Sequence, residues 1–283
     1  MFNYHKRLLH IFLLLLTCVS CRNSSNPSGK GRIIQQEPGQ ETLMRQGGKG
    51  FTYESGAIIR ADTTSNKIAL VFTGDEFADG GEFVAKTLKD KNIRGSFFFT
   101  GNFYRNEKFK QIINKLIDNG NYLGSHSDKH LLYCDWTERD SLLVNRTEFV
   151  DDLKDSFAEM KKFGIDPVKS HFYLPPYEWY NDSIALWTNQ MGFELINFSP
   201  GTRSNADYTY PEMGEKYLDS KTILKSVLDY EKFSSNGMNG FILLVHTGTD
   251  PRRTDKFYSY LPDLIDTMIH RGYQFVRIDE LLK

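Results

Sequence analysis

From Gly56 to the C-terminus, short apolar runs alternate with segments of helical period, and this rhythm constrains the fold more than any other feature. Residues 68–72 form an unbroken apolar run that ends in Thr73-Gly74, as a strand buried on both faces requires. Further strands are expected at 96–99, 122–124, 172–174, 194–198, 241–245 and 273–278. Between them, Phe83, Val84, Thr87 and Leu88 share one helical face, and Ile112, Ile113, Leu116 and Ile117 share another that stops at Asn119-Gly120. Phe149, Val150, Leu153, Phe157, Met160 and Phe163 trace a long amphipathic helix closed by Gly164. Helices are also expected near 181–191, 222–233 and 260–271. With no internal repeat, this order predicts an α/β fold, a (β/α) barrel of about seven strands, distorted or incomplete. A doubly wound open sheet is the alternative, since alternation does not reveal closure. In both, reactive groups belong just beyond the C-terminal ends of strands.

The N-terminus reads differently. His5, Lys6 and Arg7 precede an apolar run, residues 8–19, too short to span a bilayer comfortably, and the run ends in Cys18-Val19-Ser20-Cys21. We read residues 1–21 as a lipoprotein-type signal whose Cys21 is lipidated, although Cys18 stands where such signals usually carry Leu. Residues 22–50, rich in Gly, Ser, Asn and Gln, are a flexible tether and surface wrap, and 51–283 are the working domain. The expected location is the cell envelope, with membrane contact only through the lipid; an ordinary cleaved signal would make the protein secreted. Cys134 is then left without a cysteine partner and no disulfide is expected. The net charge of -1 offers no basic field for nucleic acid.

The sharpest local motif is His126-Ser127-Asp128-Lys129-His130, directly after the expected strand 122–124. Two imidazoles four residues apart converge on one ion if the segment turns as a helix does; otherwise they are two surface histidines. His246 ends the apolar strand 241–245, where it is either a catalytic group or a structural one. Tyr177, Trp179 and Tyr180 cluster past another strand end, suited to sugar faces or to core packing.

These segments, in this order, resemble the polysaccharide deacetylases (carbohydrate esterase family 4). His126 to His130 resembles that family's second motif, Leu174-Pro175-Pro176-Tyr177 its third and Ile242-Leu243-Leu244-Val245-His246 its fifth; the stretches at 56–72 and 95–101 resemble the first two strands. The resemblance implies a divalent metal, zinc or else cobalt or nickel, held by His126, His130 and an acid, a carboxylate base, and His246 as general acid. It also implies the backbone N–H of Tyr177 as oxyanion donor and Leu244 lining the acetyl pocket. Trp179, from its place in the aromatic cluster, and Pro176 beside it are expected to contact substrate.

The chain departs from the pattern in several places. Where the first motif carries two aspartates, Thr73 and Gly74 stand here, and carboxylates return only at Asp75 and Glu76. We assign Asp75 as ligand and Glu76 as base, with the roles open to reversal, on the expectation that Gly74 lets the loop rearrange. Leu174 stands where the family has an arginine that orients the base, and Glu178 where it has glycine. The fourth motif is missing, leaving Arg203 or Asp207 to tune His246. Asp250-Pro251-Arg252-Arg253 is either a binding site for an acidic group on the glycan or a solvated run.

The expected activity is removal of acetyl groups from an N- or O-acetylated polysaccharide or peptidoglycan-type glycan by a monomer. A glycan-binding protein that has lost the chemistry, and an amidohydrolase of a small non-sugar substrate, are the alternatives.

Overall fold

The computed structural model describes residues 50–283; the expected leader, Cys18, Cys21 and nearly all of the tether lie outside the described residues. The strands are β1 (Thr52–Glu54), β2 (Ala57–Arg60), β3 (Lys67–Gly74), β4 (Ser96–Phe99), β5 (Tyr122–Ser125), β6 (Phe172–Tyr173), β7 (Glu194–Leu195), β8 (Phe241–His246) and β9 (Gln274–Val276). Helices α1 (Gly81–Asp90), α2 (Gly101–Arg105), α3 (Lys110–Asp118), α4 (Arg146–Lys162), α5 (Asp182–Gln190), α6 (Ser220–Phe233), α7 (Leu261–His270) and α8 (Ile278–Leu281) run between and after them.

All the strands join one sheet in the order β1-β2-β8-β3-β4-β5-β6-β7, with β9 paired to the start of β3. From β8 to β7 the pairing is parallel, and β2 runs antiparallel to β8. The sheet curls until its margins meet at a single bridge, Ile58 to Ile196. The expectation of an incomplete barrel therefore holds and the open doubly wound sheet does not. The antiparallel hairpin of β1 and β2 was not anticipated; the three residues of β1 are all exposed and show no alternation.

Strand periodicity sorts the core into two layers. Ile68, Leu70 and Phe72 of β3 and Phe241, Leu243 and Val245 of β8 face the helices, whereas Ala69, Val71, Ile242 and Leu244 face the barrel interior with Phe98, Phe172, Leu174 and Ile196. Ile278, Leu281 and Leu282 belong to this interior cluster too. Continued by two residues, the same alternation turns Thr73 and His246 inward at the opposite end, where the strand register pairs them. The C-terminal mouth of the barrel is thus where polar side chains first replace apolar ones. No helix among the described residues is long and apolar enough to cross a membrane. Cys134 is buried and has no disulfide partner among the described residues.

Candidate active site

The mouth opens into a cleft of about 630 Å³, lined by Thr73, Asp75, His126, His130, Glu178 and His246 among others. His126 follows β5 and is buried. Its Nδ1 lies 2.9 Å from the carbonyl oxygen of Leu174, so Nδ1–H donates and the Nε2 lone pair faces the cleft. The segment to His130 is an irregular loop rather than the helical turn expected, with Ser127 and His130 both left-handed (φ 72° and 55°). Ser127 Oγ accepts the His130 N–H at 3.0 Å, and the buried carboxylate of Asp152 on α4 accepts those of Asp128 and Lys129. The outcome is the convergence that the spacing suggested. The two Nε2 atoms are 3.3 Å apart. Burial, and then the neighbouring His130 ring, holds His126 well below the ordinary imidazole range; burial also lowers His130, with Asp75 pulling the other way. Both rings favour the neutral state that a ligand needs.

The anticipated carboxylates are placed otherwise. β3 continues in regular register through Gly74, which pairs with Phe99, so the loop does not rearrange. A Cβ at Gly74 would sit 2.9 Å from the Phe99 ring and 3.0 Å from that of Phe103, leaving no room for an acidic side chain. Asp75 accepts a hydrogen bond from Thr100 (2.7 Å) and approaches Nδ1 of His130 at 3.8 Å, behind the ring rather than at the Nε2 face. Glu76 is exposed. Thr73 Oγ1 is buried with no hydrogen-bond partner among the described residues.

The carboxylate that reaches the imidazole pair is Glu178. Its Oε1 lies 3.9 Å from Nε2 of His126, and the side chain is 10% exposed. Burial first, and Asp207 second, push it up to about 7 against the opposing pull of His246. Tyr177 and Glu178 are consecutive left-handed residues (φ 57° and 54°), a conformation costing a non-glycine residue about 1 kcal/mol or more. The turn's hydrogen bonds run from Glu178 N–H to Pro175 and from Trp179 N–H to Pro176, so that of Tyr177 is not among them.

Across the cleft, Asp207 accepts both the backbone N–H of His246 (2.9 Å) and its Nδ1–H (2.6 Å), which turns Nε2 toward the cavity. Burial disfavours the charged ring, yet the ion pair and hydrogen bond with Asp207, with Glu178 adding, outweigh it; the His246 pKa rises. Asp207 thus occupies the place left open between it and Arg203, carried by a short 3-10 turn, Ser204–Tyr208.

The remaining expected residues divide. Tyr177 packs on His130 (ring centroids 4.3 Å) and meets Trp136 edge-on (5.6 Å), forming an aromatic rim. Trp179 stacks beside Trp136 with its indole N–H on the Asp135 carbonyl, outside the cleft lining. Pro176 and Leu244 are buried and likewise off the lining; Leu244 fills the interior below His246 because it is two residues earlier on the same face. Arg252 lines the cleft over the Tyr210 ring. Arg253 is instead fully buried and bonded to Thr209, Leu218 and Ser220, which removes it from any role toward substrate. Sequence reasoning missed Asp152 altogether and registered Glu178 only as a departure; an acid directly after Pro-Pro-Tyr at a strand end was the available signal.

Comparison with known proteins finds similarity in sequence and in fold. Residues 60–196 match the family model described as polysaccharide deacetylase. The peptidoglycan-N-acetylmuramic acid deacetylase PdaA of Bacillus subtilis is 24% identical over 228 residues, covering 80% of this chain and 75% of that protein. The peptidoglycan-N-acetylglucosamine deacetylase PgdA of Listeria monocytogenes is 26% identical over 77% of this chain, which spans 39% of its length. In fold, the PdaA structure superposes with a TM-score of 0.62 at 22% identity, covering 80% of this chain and 85% of that one. A family 4 carbohydrate esterase pseudoenzyme from Bacillus anthracis superposes at 0.60 with 16% identity, covering 82% and 70%. Residues 60–196 thus match the polysaccharide deacetylase model, and the fold is that of a family 4 carbohydrate esterase.

Proposed function

We propose that this chain is a metal-dependent hydrolase that removes acetyl groups from a peptidoglycan-type glycan at the cell envelope. The observation that carries the reading is the pair of facing Nε2 atoms, 3.3 Å apart, opposite an Asp207-backed His246 across one cleft. Two nitrogens bound tetrahedrally to one zinc ion stand about 3.3 Å apart, so the pair fits such an ion. Among the described residues no cluster of three His, Cys, Asp or Glu groups is drawn together tightly enough to hold one. His126 and His130 would hold the ion, and Asp75, now behind His130, would have to swing round to join them. The ion would supply a Lewis acid for the acetyl carbonyl and for water.

The chain's own groups would do the rest. His246, kept in one tautomer by Asp207, would protonate the leaving nitrogen or oxygen from Nε2. The Tyr177 N–H would face the developing oxyanion. Trp136 and Tyr177 would offer apolar faces to sugar rings along an open cleft, which favours a polymer over a small amide. The names of the relatives support N-acetylated peptidoglycan as the substrate class.

A second reading has its own observation: the first-motif carboxylates are gone and aromatic rings fill the space at Gly74. It makes the chain a glycan-binding protein without chemistry. Assaying acetate release from peptidoglycan fragments with zinc, cobalt or nickel, and after chelation, separates the two. We expect release that chelation abolishes; binding with no release under any metal would establish the second reading.

A further inference from the structure

We infer that Glu178 is the general base of this site, in place of the carboxylates that Thr73 and Gly74 displace. The inference rests on the deacetylase reading above. Three observations lead to it. The Glu178 carboxylate is nine-tenths buried, and no hydrogen-bond donor reaches it among the described residues; a buried carboxylate in that state demands a partner from the cleft. It faces Nε2 of His126, the same atom that faces His130, so it stands beside the position where the attacking water must lie. The residue is also clamped at both ends of its peptide unit: its N–H goes to Pro175 and its carbonyl accepts from Asn197 Nδ2 at 2.9 Å. Two left-handed residues aim one acid into the cleft and the fold holds them there.

The rival acids fail on position. Glu76 is exposed, and Asp75 is engaged by Thr100 on the outer side of His130. A ligand role for Glu178 fails on distance: 3.9 Å from His126 Nε2 exceeds the roughly 3.3 Å of two tetrahedral zinc ligands but suits an oxygen one hydrogen bond from a water on that face.

The chemistry balances. Glu178 takes one proton from water as the water oxygen bonds to the acetyl carbon. Protonated His246 then gives its proton to the amide nitrogen as the C–N bond breaks. The products are acetic acid, which ionises to acetate in solvent, and the free amine; the proton held by Glu178 returns through solvent to His246 and resets both groups.

The test is E178Q, which keeps shape and burial, assayed for zinc affinity against a competing chelator and for acetate release from an N-acetylated peptidoglycan fragment. We expect zinc affinity within about threefold of wild type and acetate release about 100-fold lower. E178G, which relaxes the turn, should show the same loss, with partial recovery in added formate; it also serves if E178Q fails to fold. Acetate release within tenfold of wild type overturns the inference, as does a tenfold or greater loss of zinc affinity, which would make Glu178 a ligand. A wild-type chain that releases no acetate under any metal would remove the deacetylase reading itself, and the base with it.

Discussion

The two walls of the cleft are built on opposite principles. On the acid wall, His246 finds its counter-charge within the chain: Asp207 holds both its backbone and its ring, and the pair is complete. On the imidazole wall, the Nε2 atoms of His126 and His130 face each other, and among the described residues no donor reaches the Glu178 carboxylate beside them. The first wall is a closed histidine–aspartate hydrogen-bonded pair that favours the protonated ring. The second turns two imidazoles and the Glu178 carboxylate toward the same part of the cleft, where the proposed function puts a cation and a water.

Removing a ring from the imidazole wall should have the largest effect. H126A is expected to lose bound zinc and to lower acetate release by about 10³-fold or more, the scale of a Lewis-acid contribution. Retained stoichiometric zinc in the purified variant would erase the distinction between the walls. H246A should retain its zinc and lose about 10²–10⁴-fold in rate, the range for a general acid. D207N sharpens the point through pH. Asp207 raises the His246 pKa, and an acid works only while protonated, so activity falls as pH climbs through that raised value. Without the carboxylate, the alkaline limb of the rate profile should move to lower pH with metal content unchanged; an unmoved limb would take His246 out of the proton transfer. The same sign governs stability: the pair's contribution is present below the unfolded pKa of histidine and is lost as pH rises through the folded one.

Two smaller effects test the frame around the walls. G74A should lower stability by about 1–3 kcal/mol in thermal or urea melts, because its methyl meets the Phe99 and Phe103 rings. W136A, at an exposed rim position, should raise KM for a glycan oligomer a few-fold, about 1 kcal/mol, with kcat unchanged. A fall in kcat alone would move Trp136 from the rim into the chemistry.

Legibility in the sequence followed burial. β3 and β8 are buried on both faces, so their apolar runs stood out, and the strand-end rule then led to His126, His130 and His246. The β1–β2 hairpin has no such run in its exposed first strand. Asp207 reaches His246 from 39 residues away, a pairing that no local pattern encodes. Glu178 was visible as an odd residue, but its aim depends on left-handed backbone at two non-glycine positions, and residue type alone argues against that conformation. Asp75 and Glu76 were expected at the imidazoles through a rearranged loop, whereas a regular strand through Gly74 leaves Asp75 at the Nδ1 side of His130 and Glu76 exposed.

The bridge at which the curled sheet meets itself has a consequence for how the protein works. Ile196 makes that seam with Ile58, and the very next residue, Asn197, donates its backbone N–H to Ile58 and its side-chain amide to the Glu178 carbonyl. One short stretch is both the latch of the cylinder and a brace on the Glu178 backbone, so loosening the latch would also loosen the aim of that carboxylate.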